Sequence, residues 1–435
     1  MRRRRSEAGQ TFVLMVLVLV GLVGFVALAT DGGMLYAERR RAQNAADTAA
    51  LGAALAKIKG LNLYNVALDR LDKNGFGVVW DHCIPAGYDC IAGTGDKWTI
   101  QVSNPPRSGQ FAGDDDYIQV IVTTEVATSF AQMIFQGPLR TTVEAVSRTW
   151  PELSIAPGYA LYSTSAHDCK AMWFSGTGDT VIHGGSVFSN SDASSPSCDS
   201  GVQSGAGNIS VGPPGEEIRV VGLFDLGGSG SVDPPPTEMV SHEYLRPVPL
   251  PDCSGMTDYG NVKINAGKSK TLQPGLYGYI TFGAGANVTL QPGMYCIYGD
   301  KGFTGTGGSV TGNGVMIYLE AGPLDLGGNT LVALTAEDTK EVLVDPSYND
   351  WYGMLVYVDP SNGSPTTLTG TSGTDYHGTV YAPNSDCTIN GTGDSIGVNA
   401  QLICYTVKIT GTAAVSIDYN EDENYYLPPA IDLAK

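Results

Sequence analysis

The chain has 435 residues, among them 56 glycines, with 16% charged residues and a formal net charge of −19. Such a length accommodates two or three domains, and a glycine-rich, charge-poor composition favours a β-rich, turn-rich structure over a helical enzyme. Seven arginines against Glu7, Asp31 and Glu38 leave residues 1–41 basic, so the rest of the chain carries −23. A surface this acidic serves solubility and repels phosphate backbones, which argues against nucleic acid as a partner.

Residues 1–10 form a basic segment expected to stay cytoplasmic. Residues 11–30 follow as a transmembrane helix whose core, Phe12–Leu28, has no charge and no proline. About 20 residues rise about 30 Å, one hydrocarbon thickness, so the lipid bilayer is the first expected partner. Arg2–Arg5 orient the N-terminus inward and the bulk outward, weakly opposed by Arg39–Arg41. Ala27-Leu28-Ala29 offers a signal-peptidase-like site, with cleavage after Ala29 as the alternative, but the helical pattern continues beyond it. The string from Gly9-Gln10 through Asp31-Gly32-Gly33 to Arg40-Arg41-Ala42-Gln43-Asn44-Ala45-Ala46-Asp47 resembles the N-terminal segment of TadG-like (TadE/TadG) tight-adherence (Flp-type) pilus-assembly proteins. The resemblance implies a membrane-anchored, pilin-related protein whose partners are pilus-assembly machinery or pilin-like proteins. Prepilin processing in related proteins follows a glycine and expects glutamate five residues on. After Gly9 that residue is Leu14, which favours a stationary anchor over a minor pilin-like subunit of a surface filament.

Residues 31–150 read as a small α+β module, pilin-like by the same resemblance. Leu61–Phe76 predicts a helix stopped at Asn74-Gly75, while Trp98–Ser103, Asp116–Thr123 and Leu139–Arg148 alternate as strands. Asn104–Asp115 is a loop, and Phe130–Phe135 a short buried helix. The run Asp114-Asp115-Asp116 lacks calcium-loop spacing and reads as solvated.

After a linker at residues 151–158, residues 159–420 repeat a short unit: glycine with small residues, a Val/Ile strand, a Pro-Gly or Asn-Gly turn, and another strand. The two Leu-Gln-Pro-Gly copies, Leu272–Gly275 and Leu290–Gly293, lie in this series. Recurring short strands that cannot bury their apolar side alone predict an all-β parallel β-helix of about ten coils, with a β-sandwich or jelly-roll as the alternative. The proline-rich excursion 233–251 is expected to cross the outside of this solenoid and divide its coils into two groups. Residues 421–435 form an acidic tail.

The even number of cysteines suggests disulfides formed outside the cytoplasm, in local pairs: Cys83 with Cys90, Cys169 with Cys198, Cys253 with Cys296, Cys387 with Cys404. No Cys/His spacing suggests zinc, and no cofactor or metal is expected. A glycosidase needs two carboxylates facing one substrate. Asp179, Asp300, Asp325, Asp375, Asp386 and Asp394 are candidates, but they sit at glycine corners where a solvated turn aspartate is usual. His82, His167, His183, His242 and His377 are scattered. Asp192-Ala193-Ser194-Ser195-Pro196 approaches the adhesion motif D-x-S-x-S of TadG-like proteins but ends in proline. Tyr277, Tyr279, Tyr295, Tyr298 and Tyr318 lie near strands, where aromatic rings are more often core or flank but could stack on surface polysaccharide. These readings converge on a membrane-anchored, extracytoplasmic structural or adhesion protein associated with pilus assembly and without enzymatic activity. An anchored carbohydrate-active β-helix enzyme is the alternative.

Overall fold

The computed structural model describes residues 8–77, 89–92, 98–126, 130, 139–195, 197–213, 215–327, 329–337, 351–370, 373–391 and 396–434. The chain divides into two compact units, Met1–Glu152 with Pro428–Lys435, and Leu153–Leu427.

The first unit is built on one helix, Ala8–Ile58. Its 51 residues rise about 77 Å. Phe12–Leu28 is exposed along its whole length and is long and apolar enough to cross a membrane. Further on, Ala42, Ala45, Ala46, Ala49, Ala50 and Ala53 are fully buried, and their spacing puts them on one face. Methyl-sized side chains let strands Tyr117–Val126 and Leu139–Trp150 approach closely enough for Ser147 Oγ to donate to the Ala50 carbonyl at 2.8 Å. Helix Leu63–Leu71 is capped by Asn62, whose side chain accepts from Asn65 N, and closes through a π-turn at Asp72–Phe76. Arg41 then holds the Gly75 carbonyl at 2.6 Å and lies over the Phe76 ring.

Five antiparallel strands complete this unit, in the order Asp89–Ala92, Trp98–Ser103, Tyr117–Val126, Leu139–Trp150, Ala430–Leu433. The acidic tail expected from the sequence is therefore no appendage. Its last part is an edge strand, with Ala430 opposite Trp150 and Leu433 opposite Ser147. Tyr426–Leu427, just before it, pairs with Leu153–Ser154. The expected helix at Phe130–Phe135 lies outside the described residues except for Phe130, whose N–H donates to the buried Asp31 carboxylate at 2.9 Å.

The second unit is a parallel β-helix with three faces. A third-face strand occurs in each of ten rungs, matching the coil number expected from the repeats. The stack order departs from chain order. Tyr159–Ser163 and Thr180–His183 do not begin the stack; they lie in its middle, paired with strands Leu402–Gly411 and Val415–Asp418 of the last coil. From this seam the chain winds outward to Val232–Asp233 at one end. It restarts at the opposite end with Asn261–Ile264 and Ser269–Leu272, then winds back to the seam. One inward column on the third face shows that the seam packs like any other rung. Leu272, Leu290, Gly312, Leu334, Tyr376, Val398, Ile417, Ile182 and Val211 follow one another in register, with Ile417 and Ile182 meeting across the seam at 0% exposure.

The corner between the second and third faces carries stacked glycines. A Cβ on Gly178 would lie 1.9 Å from the Ala413 carbonyl oxygen, and one on Gly207 2.0 Å from that of Gly178. Only a residue without a side chain permits backbones that close, and the first of these contacts crosses the seam.

Candidate functional site

The expected bonds Cys169–Cys198, Cys253–Cys296 and Cys387–Cys404 are present in the structure, whereas Cys83 lies outside the described residues. Each has a distinct place. Cys387–Cys404 lies in the solenoid interior, and Cys169–Cys198 ties an inter-strand loop to the short hairpin Ser194–Asp199. Cys253–Cys296 fastens the proline-rich excursion to the first face.

That face is covered. Its outward column runs Leu276, Cys296, Tyr318, Tyr357, Tyr381, Ile403, Tyr162, Phe188, Arg219 across nine paired strands. At roughly 4.8 Å per strand it spans about 40 Å. Over it lies a strap with little regular structure, bridged to Arg219 through Thr237 at one end and to Leu276 through Asp258 at the other. Val240, Leu245, Val248, Cys253 and Met256 of the strap pack on the aromatic column. The tyrosine hydroxyls answer the strap's polar groups. Tyr162 donates to the Glu243 carbonyl at 2.7 Å, Tyr357 to the Val248 carbonyl at 3.3 Å, and Tyr159 to the Glu243 carboxylate at 2.9 Å. Burial, reinforced by Glu243, pushes the Tyr159 hydroxyl up to about 12.

For three of the five tyrosines near strands the arrangement is the core reading and not the sugar-stacking one. Tyr277 and Tyr295 point into the solenoid, where their rings stack 5.9 Å apart and their hydroxyls donate to interior carbonyls. Tyr318 lies under the strap, its hydroxyl on Asp359 at 2.6 Å. Tyr279 is half-buried, and only Tyr298 is exposed. The aspartates do not assemble either. Asp325 stands outward on the second face, Asp375 on the third beside Asn399, Asp386 on Thr406, and Asp179 on Asn208; Asp394 is outside the described residues. His167 pairs with Asp192 at 2.9 Å, which raises the imidazole's affinity for its proton. Among the described residues no group of three or more His, Cys, Asp or Glu side chains converges to hold a metal ion.

The second face is open except at Val202, which is buried. Its outward column is Lys263, Thr281, Thr304, Asp325, Thr367, Thr388, Lys408, Trp173, Val202, Asp225. Near one end, Lys263, Asn265, Thr281, Thr304 and Thr306 line a hollow of about 270 Å³. At the seam, Trp173 is half-buried and its indole N–H donates to Ser204 Oγ at 2.8 Å. The ammonium groups of Lys170 and Lys408 lie 4.6 and 4.2 Å from the centre of its ring. Sequence reading missed this constellation because its two lysines belong to the first and last coils. Trp173, at a mid-strand position in a stretch otherwise poor in tryptophan, was the one available signal.

Comparison with known proteins adds one specific finding. Among curated proteins no relative matches the chain. One solved structure with similarity is the competence-associated pilin ComZ from Thermus thermophilus, 10% identical, with 90% of this chain and 98% of that chain covered. Its TM-score of 0.24 is too low to carry an argument. Residues 9–56, the exposed apolar stretch together with the buried alanine stripe, match the family described as putative Flp pilus-assembly TadE/G-like.

Proposed function

We propose that the chain is a membrane-anchored protein associated with tight-adherence pilus assembly, holding a non-enzymatic solenoid outside the membrane as a structural or adhesive element. The observation that carries this reading is the coincidence of the TadE/G-like match with the helix whose first half is exposed and apolar. The solenoid supports the non-enzymatic part, since Asp179, Asp375 and Asp386 lie in separate local hydrogen bonds. Three disulfides support an oxidising location outside the cytoplasm. Leu14 at the fifth position after Gly9 supports a retained anchor.

The test is made on intact cells carrying the tagged full chain. Expected are co-purification with pilus-assembly components after crosslinking, shaving of the solenoid by external protease, and a mature N-terminus upstream of Gly9. Protection from protease together with absence of pilus components overturns the reading. A new N-terminus at Gln10 with recovery in sheared filaments replaces the anchor by a filament subunit.

A further inference from the structure

We infer that the open second face of the solenoid binds an acidic polysaccharide, with Lys170 and Lys408 over Trp173 as the site for its anionic group. The inference deepens the adhesive reading above and rests on the solenoid being outside the membrane.

Two ammonium groups share one indole ring, 4.6 and 4.2 Å from its centre, so they lie within about 9 Å of each other. Each ammonium is held by the face of the ring, so two positive charges are concentrated on one aromatic surface of a chain that is otherwise strongly acidic. Yet among the described residues neither lysine has a carboxylate within 4.0 Å. The carboxylates of the adjoining loop and strand keep their charge but are engaged by neutral hydroxyls. Asp168 accepts from the Tyr405 and Ser165 hydroxyls, which hold its carboxyl below the usual range, and Asp386 accepts from Thr406. The result is a doubly cationic, aromatic-backed spot whose ring is fixed by the Ser204 hydrogen bond and whose lysines remain free to contact an added anion.

The surroundings select the class of anion. Away from the spot, the column presents Thr388 and Thr367, then Asp325, then Thr304 and Thr281, with successive rungs about 4.8 Å apart. It leads to the hollow beside Lys263 and Asn265. A flat row of hydroxyl donors and acceptors, ending in a second cation, suits an extended chain of sugars with occasional carboxylates. A densely charged polyanion would instead meet Asp325 and the overall charge of −19.

The experiment uses the full chain in detergent micelles with hyaluronate, which carries one carboxylate per disaccharide, as probe, and neutral dextran and duplex DNA as comparators. Expected is binding of hyaluronate that weakens with salt, with no measurable binding of dextran or DNA. Lys170→Ala with Lys408→Ala should weaken it at least about tenfold and flatten the salt dependence, since two charge contacts disappear. Lys170→Arg with Lys408→Arg, at an unchanged melting temperature, should retain it and shows that a loss reflects charge and not misfolding. The inference is overturned if hyaluronate is not bound, if the double alanine variant binds as well as the parent, or if DNA is bound through the same lysines. Failure here with pilus components still co-purifying leaves the proposed function standing. Binding here without pilus association or external exposure does the reverse.

Discussion

The first and second faces of the solenoid are made by the same coils, share one core, and differ only in what they turn outward. The first presents aromatic and aliphatic side chains and lies under a strap whose carbonyls accept from its tyrosines. The second presents threonines, lysines and a tryptophan and is open. In a β-helix the inward residues build the coil, while the alternate outward residues decide whether a face becomes structure or surface. The strap consequently belongs to the fold as much as any rung. It runs past both groups of coils and spans the seam where they meet without a covalent rung-to-rung link.

The comparison breaks first if the shared core is not common to all faces. Replacing Ile417 or Ile182, which meet at the seam, with alanine is expected to cost about 2–5 kcal/mol each in chemical denaturation, the range for fully buried aliphatic residues. Next in size is the strap. Cys253→Ser with Cys296→Ser opens a closure of sequence separation 43 and should cost about 2–4 kcal/mol, with faster proteolysis within residues 234–258. Tyr162→Phe keeps the ring under the strap and removes one hydroxyl from the Glu243 carbonyl, for about 1 kcal/mol. Thr304→Ala on the open face should fall within about ±0.5 kcal/mol. A loss there as large as at Tyr162 would show that the second face is covered as well.

Alkaline pH separates the faces in another way. The folded state holds Tyr159 neutral up to about 12, above the usual value of 10.0. Its contribution is complete below pH 10 and is lost as pH climbs from 10 to 12, because the unfolded chain ionises first. Tyr159→Phe should lower the slope of stability against pH over that window by one tyrosine's share, the other buried tyrosines keeping the rest, and Thr304→Ala should leave the slope unchanged.

Much of this was legible in the sequence, for definable reasons. The anchor is a matter of unbroken apolar length, and the solenoid of recurring glycine corners and short strands. The excursion at 233–251 is a matter of proline density. Stack order was not legible, since Val415–Asp418 can pair equally well with a following coil or with Thr180–His183, and alternation encodes facing without naming the neighbour. The tyrosines stayed open between core and binding surface because Tyr277 and Tyr295 stand one residue from the outward Leu276 and Cys296, and a single step inverts the side on which a strand residue lies. The edge strand Ala430–Leu433 was hidden behind Pro428-Pro429, which reads as a break. The lysines over Trp173 converge only once the first and last coils are known to touch.

Trp150 and Ala430 are direct partners on neighbouring antiparallel strands. Everything from Pro151 to Pro429 thus occupies the position of a hairpin turn, a task that two residues can perform. The anchored unit is in this sense a socket, and the solenoid a cartridge plugged in through two adjacent wires. Cartridges of other make could be exchanged at that point without rewiring the socket.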